Sequence, residues 1–335
     1  MQKILVTGAN GFIGKMVCAE LLARGFEVTA AVRKVPADGN VNSAGLRFVG
    51  VGNVDADTCW DTALAGCSGV IHLAARAHIL NDEVADPLAA FRATNVAGTL
   101  QLARCAARAG VARFVFVSSV GVNGNQNERP FTESDTPLPA EPYAVSKLEA
   151  ELALQTDALG GAMKLVIVRP PLVYGPGCPG NFLRLLKLLS TRIPLPFGAM
   201  RNKRSFIGIW NLADFLATCL VHDKAGGHVF LISDLEDVTL PDLLRGLALG
   251  MGRTVPLFSV PPGWLATLAG MAGKGAMFDK LGGSLTVDAS RAHTVLGWTP
   301  PVSLAEGLQR TGRWWVFRSI VTSDSGIVTS NSGAT

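Results

Sequence analysis

The 335-residue chain lacks the features that mark several common protein classes. Its six cysteines, Cys18, Cys59, Cys67, Cys105, Cys178 and Cys219, form no Cys-x-x-Cys pair, which argues against a zinc site or a disulfide framework and for reduced, mostly buried thiols. No apolar run is long enough to span a bilayer: the most apolar late stretch, Trp264 to Met271, is short and is interrupted by Gly270, Gly273 and Lys274. No charge sign dominates either. A net charge of +4 and a pI near 8.8 suit an anionic small ligand and fall short of the concentrated basic face that nucleic acid requires. No internal repeat is present, and the strand-like Ile4-Leu5-Val6 runs straight into a glycine loop. A secretory leader and membrane insertion are therefore not expected, and a cytoplasmic location is.

With 48% hydrophobic residues the chain can bury a large core, and one unit with two lobes is expected. Short apolar or β-branched runs (KILV, EVTAAV, LRFV, GVIHL, RFVFVSS, KLVIVR) alternate with helical stretches over Phe12 to Arg24, Pro87 to Ala109 and Pro142 to Leu159. Strands alternating with helices pair in parallel through crossovers, so the fold class is α/β, a doubly wound parallel sheet. His228 to Ile232 is expected to add a strand at its far edge. Residues 1–170 should form the dinucleotide-binding domain, with 205–234 returning to it. A smaller, mostly helical substrate lobe should use 171–204, with a helix over Phe182 to Ser190, and 235–318. Residues 319–335, rich in Ser, Thr and Gly, should form a flexible tail.

Residues 7–14 read TGANGFIG and set Gly8, Gly11 and Gly14 between a strand and a helix. Small residues let the backbone turn tightly and approach a pyrophosphate, whose charge meets the helix N-terminus. At the end of the second strand, where a carboxylate would bind the adenosine ribose of NAD, stands Val32, followed by Arg33 and Lys34. The missing acid and the nearby guanidinium favour NADP, with NAD as the alternative.

Tyr143 and Lys147 lie four apart on a predicted helix, hence on one face. A phenol titrates at about pH 10, so it serves as acid or base near neutrality only if a neighbouring ammonium and an oxidised nicotinamide favour its ionised form. Ser118 and Ser119 end a strand at the carboxyl edge of the sheet, where ligands of this architecture bind, and Ser119 could hydrogen-bond the reacting oxygen. His72, in an apolar strand, reads as a core histidine, and His78 sits in a loop with no assigned role.

Together TGANGFIG, VIHLAA, NVAGT, VSSVGV, YAVSK, RPPLVYGPG and LGWTPP resemble the extended short-chain dehydrogenase/reductase family, in its epimerase/dehydratase group, from about Lys3 to Trp315. The resemblance implies a catalytic set of Ser119, Tyr143 and Lys147, with Lys147 also holding the nicotinamide ribose. It also implies a cofactor cleft lined or supported by Gly8, Asn10, Gly11, Phe12, Ile13, Gly14, Arg33, Asn53, Val54, Leu73, Ala74, Ala75, Asn95 and Pro170. Ser119, Asn181 and Arg204 are expected at a UDP-sugar substrate, with Arg204 on the diphosphate. Arg184, Lys187, Arg201 and Lys203 read as solvated charges or as its neighbours. Leu172 and Asn211 depart from the group's usual Asn and Asp. The phrasing looks most like enzymes of bacterial surface-polysaccharide clusters, either 4-epimerases or UDP-4-keto-6-deoxy-N-acetylglucosamine 4-reductases, and a homodimer is implied. The competing readings are a non-catalytic dinucleotide sensor and a hydrophobic-ketone dehydrogenase.

Overall fold

The central strands form from short, nearly continuous runs of small, β-branched and other apolar residues, because a parallel sheet covered on both faces buries both rows of side chains. A computed structural model describes residues 1–35, 44–77, 86–157, 161–191, 193–271, 273, 275 and 282–325, with the backbone alone at 181, 269 and 319–325. The described strands are β1 (Lys3–Thr7), β2 (Glu27–Val32), β3 (Leu46–Gly50), β4 (Cys67–His72), β5 (Arg113–Val117), β6 (Lys164–Arg169), β7 (Leu172–Tyr174), β8 (Lys203–Gly208), β9 (Val229–Leu231) and β10 (Asp237–Thr239). The described helices are α1 (Phe12–Ala23), α2 (Asp61–Leu64), α3 (Pro87–Arg92), α4 (Thr99–Arg108), α5 (Pro142–Thr156), α6 (Asn181–Ser190), α7 (Ile209–Val221), α8 (Leu240–Gly250), α9 (Pro262–Met271), α10 (Ser290–Leu296) and α11 (Leu304–Ser325).

Seven strands form one sheet in the order β3-β2-β1-β4-β5-β6-β9, every pair parallel. In β1, Ile4 and Val6 enter the core beneath α1 and α7, while Leu5 enters the core beneath α4 and α5. Fully burying side chains such as Leu21, Phe215, Leu102 and Phe114 contributes about 2 kcal/mol each, which makes the sheet a rigid floor. As expected, β9 closes the far edge against β6.

A third core surrounds Tyr174, Phe182, Leu186, Leu244, Leu247, Leu304 and Leu308. Beside its helices lies a small sheet, β10-β8-β7, that the Pro/Gly-rich sequence did not suggest. Helix α11 continues to Ser325, past the point where a tail was expected, and 326–335 lie outside the described residues.

Two elements near the crevice differ from the sequence reading. The helix expected over Pro87 to Ala109 contains a π-helical stretch, Ala93–Gly98, between α3 and α4. Strand β5 stops at Val117, and Ser118 and Ser119 lead into a short 3₁₀ turn, Val120–Val122.

Candidate active site

Strand order reverses between β1 and β4, and at such a point a crevice opens beyond the carboxyl ends of the strands. The glycine loop turns there. Gly8 has φ +65°, and a Cβ on it would lie 3.0 Å from the Ala74 amide nitrogen. A Cβ on Gly14 would lie 2.2 Å from the Gly8 carbonyl oxygen, so only glycine lets α1 start this close to the loop. The Gly11 N–H donates to that same carbonyl at 2.9 Å. Helix α1 begins with no side-chain cap and no acidic residue in its first turn, which leaves its N-terminal N–H groups for an anion. This cradle fits a dinucleotide pyrophosphate. Asn10 is exposed beside it, Ile13 packs on the first core, and Phe12 packs on the third core, tying the loop to the smaller lobe.

Opposite, Thr7 Oγ1 accepts from the Leu73 and Ala74 N–H groups at 3.1 and 3.0 Å. Its own proton is then free for His72 Nδ1 at 2.7 Å, and the other ring nitrogen, Nε2, meets Thr99 Oγ1 at 2.9 Å. Burial and the charge of Lys147 push His72 down to about 3, so it is a neutral structural ring. Leu73, Ala74 and Ala75 are half-buried at the crevice wall, and His78 lies outside the described residues.

At the end of β2, Val32 is buried and Arg33 and Lys34 are exposed, with no carboxylate at the tip among the described residues. The Gly52 N–H donates to the Arg33 carbonyl at 3.2 Å, which sets Arg33 beside the 51–54 loop with its exposed Asn53 and half-buried Val54. Gly98 packs on that loop: a Cβ there would lie 2.7 Å from Val54 Cγ1.

Asn95 connects the two walls. Its Oδ1 accepts from the Arg76 N–H at 2.8 Å, and its Nδ2 donates to the Arg76 carbonyl at 3.1 Å and to Ser146 Oγ at 2.9 Å. Ser146 Oγ in turn donates to the Tyr143 carbonyl at 2.7 Å. Asn95 is buried and occupies the π-helical stretch, where the wider turn is typical of functional sites.

Ser119 is half-buried, and its Oγ accepts from the Gly121 N–H at 3.1 Å. Gly121 abuts α5, because a Cβ on it would lie 3.3 Å from Ala144 Cβ. The Val120 N–H donates to the carbonyl of buried Pro170 at 2.9 Å. The Ser119 turn, Pro170 and the start of α5 thus form one wall.

Tyr143 is half-buried with its ring edge-on to Phe91, the centroids 6.1 Å apart, and burial pushes its phenol up to about 12. Lys147 is buried, with Nζ 4.1 Å from the centre of the Phe116 ring, and burial pushes its ammonium down against an upward pull from Glu151. Burial thus disfavours the charged form of both groups, which lie one helical turn apart on one face of α5, so the protonation of each answers to any charge added to the crevice.

On the smaller lobe, Arg204 is half-buried in β8, donates from Nη1 to the Gly283 carbonyl at 3.1 Å, and is lowered by burial. Arg184 and Lys187 are exposed on α6, Arg201 and Lys203 are exposed before and in β8, and the Asn181 side chain lies outside the described residues. Leu172 opens β7, partly exposed. Asn211 is fully buried: its Nδ2 donates to Asp234 Oδ1 and to the Val302 carbonyl, each at 2.7 Å. An Asp at that position would set a second carboxylate against Asp234, so the amide is the fitting residue here.

Sequence reasoning passed over Asn123, Glu151 and Arg169, which form a buried chain below Lys147. The signal was available: Glu151 continues the four-residue spacing of Tyr143 and Lys147. Among the described residues no group of His, Cys, Asp or Glu could hold a metal, and no helix is long and apolar enough to cross a membrane.

The profile of the NAD dependent epimerase/dehydratase family matches residues 4–233. Over 318 residues the chain is 41% identical to a UDP-glucose 4-epimerase of Vibrio cholerae, covering 93% of this chain and 95% of that protein. It is 26% identical to an N-acetyl-alpha-D-glucosaminyl-diphospho-ditrans,octacis-undecaprenol 4-epimerase of Escherichia coli O157:H7, covering 92% and 94%. The crystal structure of UDP-glucuronic acid 4-epimerase from Bacillus cereus in complex with NAD superposes with a TM-score of 0.75 at 25% identity, covering 94% of this chain and 98% of that one.

Proposed function

The chain belongs to the NAD dependent epimerase/dehydratase family, and from that premise we propose an NAD(P)-dependent oxidoreductase that acts at carbon 4 of a UDP-hexose and reduces a UDP-4-keto-6-deoxy-N-acetylhexosamine with NADPH. Bound in the crevice, the nicotinamide supplies the hydride. The phenol of Tyr143 gives its proton to the sugar oxygen at carbon 4. Lys147 stabilises the phenolate left behind and holds the nicotinamide ribose, and the Ser119 hydroxyl orients the carbonyl. Arg204 pairs with the diphosphate, and the Asn181 side chain is assigned to the same substrate. A cytoplasmic homodimer completes the proposal.

The observation that carries the reductase reading is the tip of β2, where a buried Val32 and exposed Arg33 and Lys34 replace a ribose-binding carboxylate. Reduction consumes one cofactor per turnover, which suits an exchangeable NADPH, whereas an epimerase returns its hydride and retains NAD.

The second reading is a UDP-hexose 4-epimerase, favoured by the 41% identity to the Vibrio cholerae protein of that name. The two separate when purified protein is given UDP-4-keto-6-deoxy-N-acetylglucosamine with NADPH and, in parallel, UDP-glucose or UDP-N-acetylglucosamine with no reductant. NADPH consumption confined to the keto sugar supports the reductase. Interconversion of gluco and galacto sugars without added cofactor replaces it with the epimerase.

A further inference from the structure

Tyr143, Lys147 and Glu151 follow one another at four-residue spacing on α5, so their side chains rise from one face of the helix. Lys147 and Glu151 are both buried, at 2% and 1% exposure. The Glu151 carboxylate is gripped by Arg169 at the end of β6: Nε donates to Oε1 and Oε2 at 3.0 and 3.1 Å, and Nη2 donates to Oε2 at 2.5 Å. The remaining arm, Nη1, donates to Asn123 Oδ1 at 3.1 Å. Asn123 closes the 3₁₀ turn that Ser119 opens, through its N–H to the Val120 carbonyl at 2.8 Å, and its Nδ2 donates to the Thr132 carbonyl at 3.1 Å.

A buried ion pair is poorly explained by stability alone, since an apolar pair of the same volume often serves as well or better. This pair has a third charge next to it. Without Glu151, the guanidinium of Arg169 and the ammonium of Lys147 would be two like charges in one buried region, and of the two only the lysine can shed its proton. We propose that Glu151, held by Arg169, is a positioning residue that keeps Lys147 in its ammonium form beneath Tyr143, and that Asn123 carries the same clamp to the Ser119 turn. This rests on the acid/base reading of Tyr143 and Lys147 given above.

The other charged groups around this face do not duplicate the role. His72, on β4, is neutral, and its ring is bonded to Thr7 and Thr99. Arg76 lies over Phe91, whose ring meets Tyr143 edge-on, and adds a cation on the phenol's side. Glu149 faces outward to Arg92 of α3, and Arg104 of α4 pairs with Asp157 beyond the end of α5. Strand β5 offers the uncharged Phe116 ring, and the 3₁₀ turn offers no titratable side chain. Glu151 is thus the described anion whose charge acts on Lys147.

The chain has two tyrosines, and Tyr174 is fully buried with its hydroxyl on Asp234 at 2.8 Å, which pushes its ionisation far up. The near-ultraviolet tyrosinate band of the full chain saturated with NADP therefore reports Tyr143, and Tyr143→Phe supplies the blank. Wild type, Glu151→Gln and Lys147→Met are titrated upward in pH. Glu151→Gln should raise the onset of the band by about one pH unit, in the same direction as Lys147→Met. No shift, or a downward shift of the kind expected if Glu151 acted on the phenol directly, overturns the proposal. In the Lys147→Met background, Glu151→Gln should no longer raise the onset, and a further rise there overturns it even if the single variant does not fold. If Lys147→Met itself leaves the band unmoved, the acid/base pairing of Tyr143 and Lys147 falls, an outcome distinct from failure at Glu151 alone.

Discussion

The Asn95 side-chain amide donates to the Ser146 hydroxyl at 2.9 Å, and through it the crevice wall at Arg76 and the helix turn carrying Tyr143 become one unit. Asn95→Ala removes its side-chain bonds to the Arg76 N–H and carbonyl and to Ser146. The expected cost is about 2 kcal/mol of stability, with cofactor affinity and turnover falling together. Denaturant unfolding and cofactor titration check this, and unchanged cofactor affinity in a destabilised protein would confine Asn95 to folding.

Tyr143→Phe keeps the edge-on contact with Phe91 and deletes only the hydroxyl. Turnover should fall by about a hundredfold or more, the scale of a lost general acid or base, while cofactor binding survives. Steady-state kinetics with a parallel cofactor titration decides it. Turnover within a few-fold of wild type would remove the phenol from the chemistry.

Arg204→Ala removes a half-buried guanidinium that donates to the Gly283 carbonyl. A diphosphate contact remote from the reacting carbon is mostly uniform binding. The Michaelis constant for the UDP-sugar should rise by about tenfold or more, with kcat changed less. An unmoved Michaelis constant would make Arg204 a structural charge.

His72 gives the fold a defined acid sensitivity. Its folded value of about 3 lies below the unfolded value of 6.5, so at intermediate pH the unfolded chain binds the extra proton. Its contribution to stability is complete above about pH 6.5 and is lost as pH falls towards 3, by roughly 4 kcal/mol at the lower end. In His72→Gln the stability at neutral pH drops, but its decline across that window should be shallower than in wild type. Parallel declines in urea unfolding from pH 7 to the acid limit would show that His72 does not set it.

Much of this architecture was legible because the local signals agree with the global fold. The short apolar runs KILV and RFVFVSS marked β1 and β5, and the Gly8, Gly11 and Gly14 spacing located the crevice where the strand order reverses. What stayed hidden depends on contacts distant in sequence. The π-helical stretch exists because Asn95 reaches Arg76 and Ser146 while Gly98 packs on Val54, partners no helical periodicity reveals. The strand β8 was masked by its basic start, Lys203 and Arg204, and is held by pairing with β7 and β10. Glu151 and Arg169 lie 18 residues apart on a helix and a strand, and only the fold brings them together with Asn123.

The most direct test of the proposed reaction follows the hydrogen at carbon 4. Wild-type protein is supplied with UDP-4-keto-6-deoxy-N-acetylglucosamine and NADPH deuterated on either face of the nicotinamide at its reactive carbon, and the product sugar is examined by mass spectrometry and proton NMR. One deuterium should appear at carbon 4 of the sugar from one of the two labelled cofactors, with one NADPH consumed per product formed. A keto sugar returned unreduced and unlabelled, while unlabelled UDP-glucose or UDP-N-acetylglucosamine is converted to its 4-epimer by the same preparation without net cofactor consumption, would contradict it.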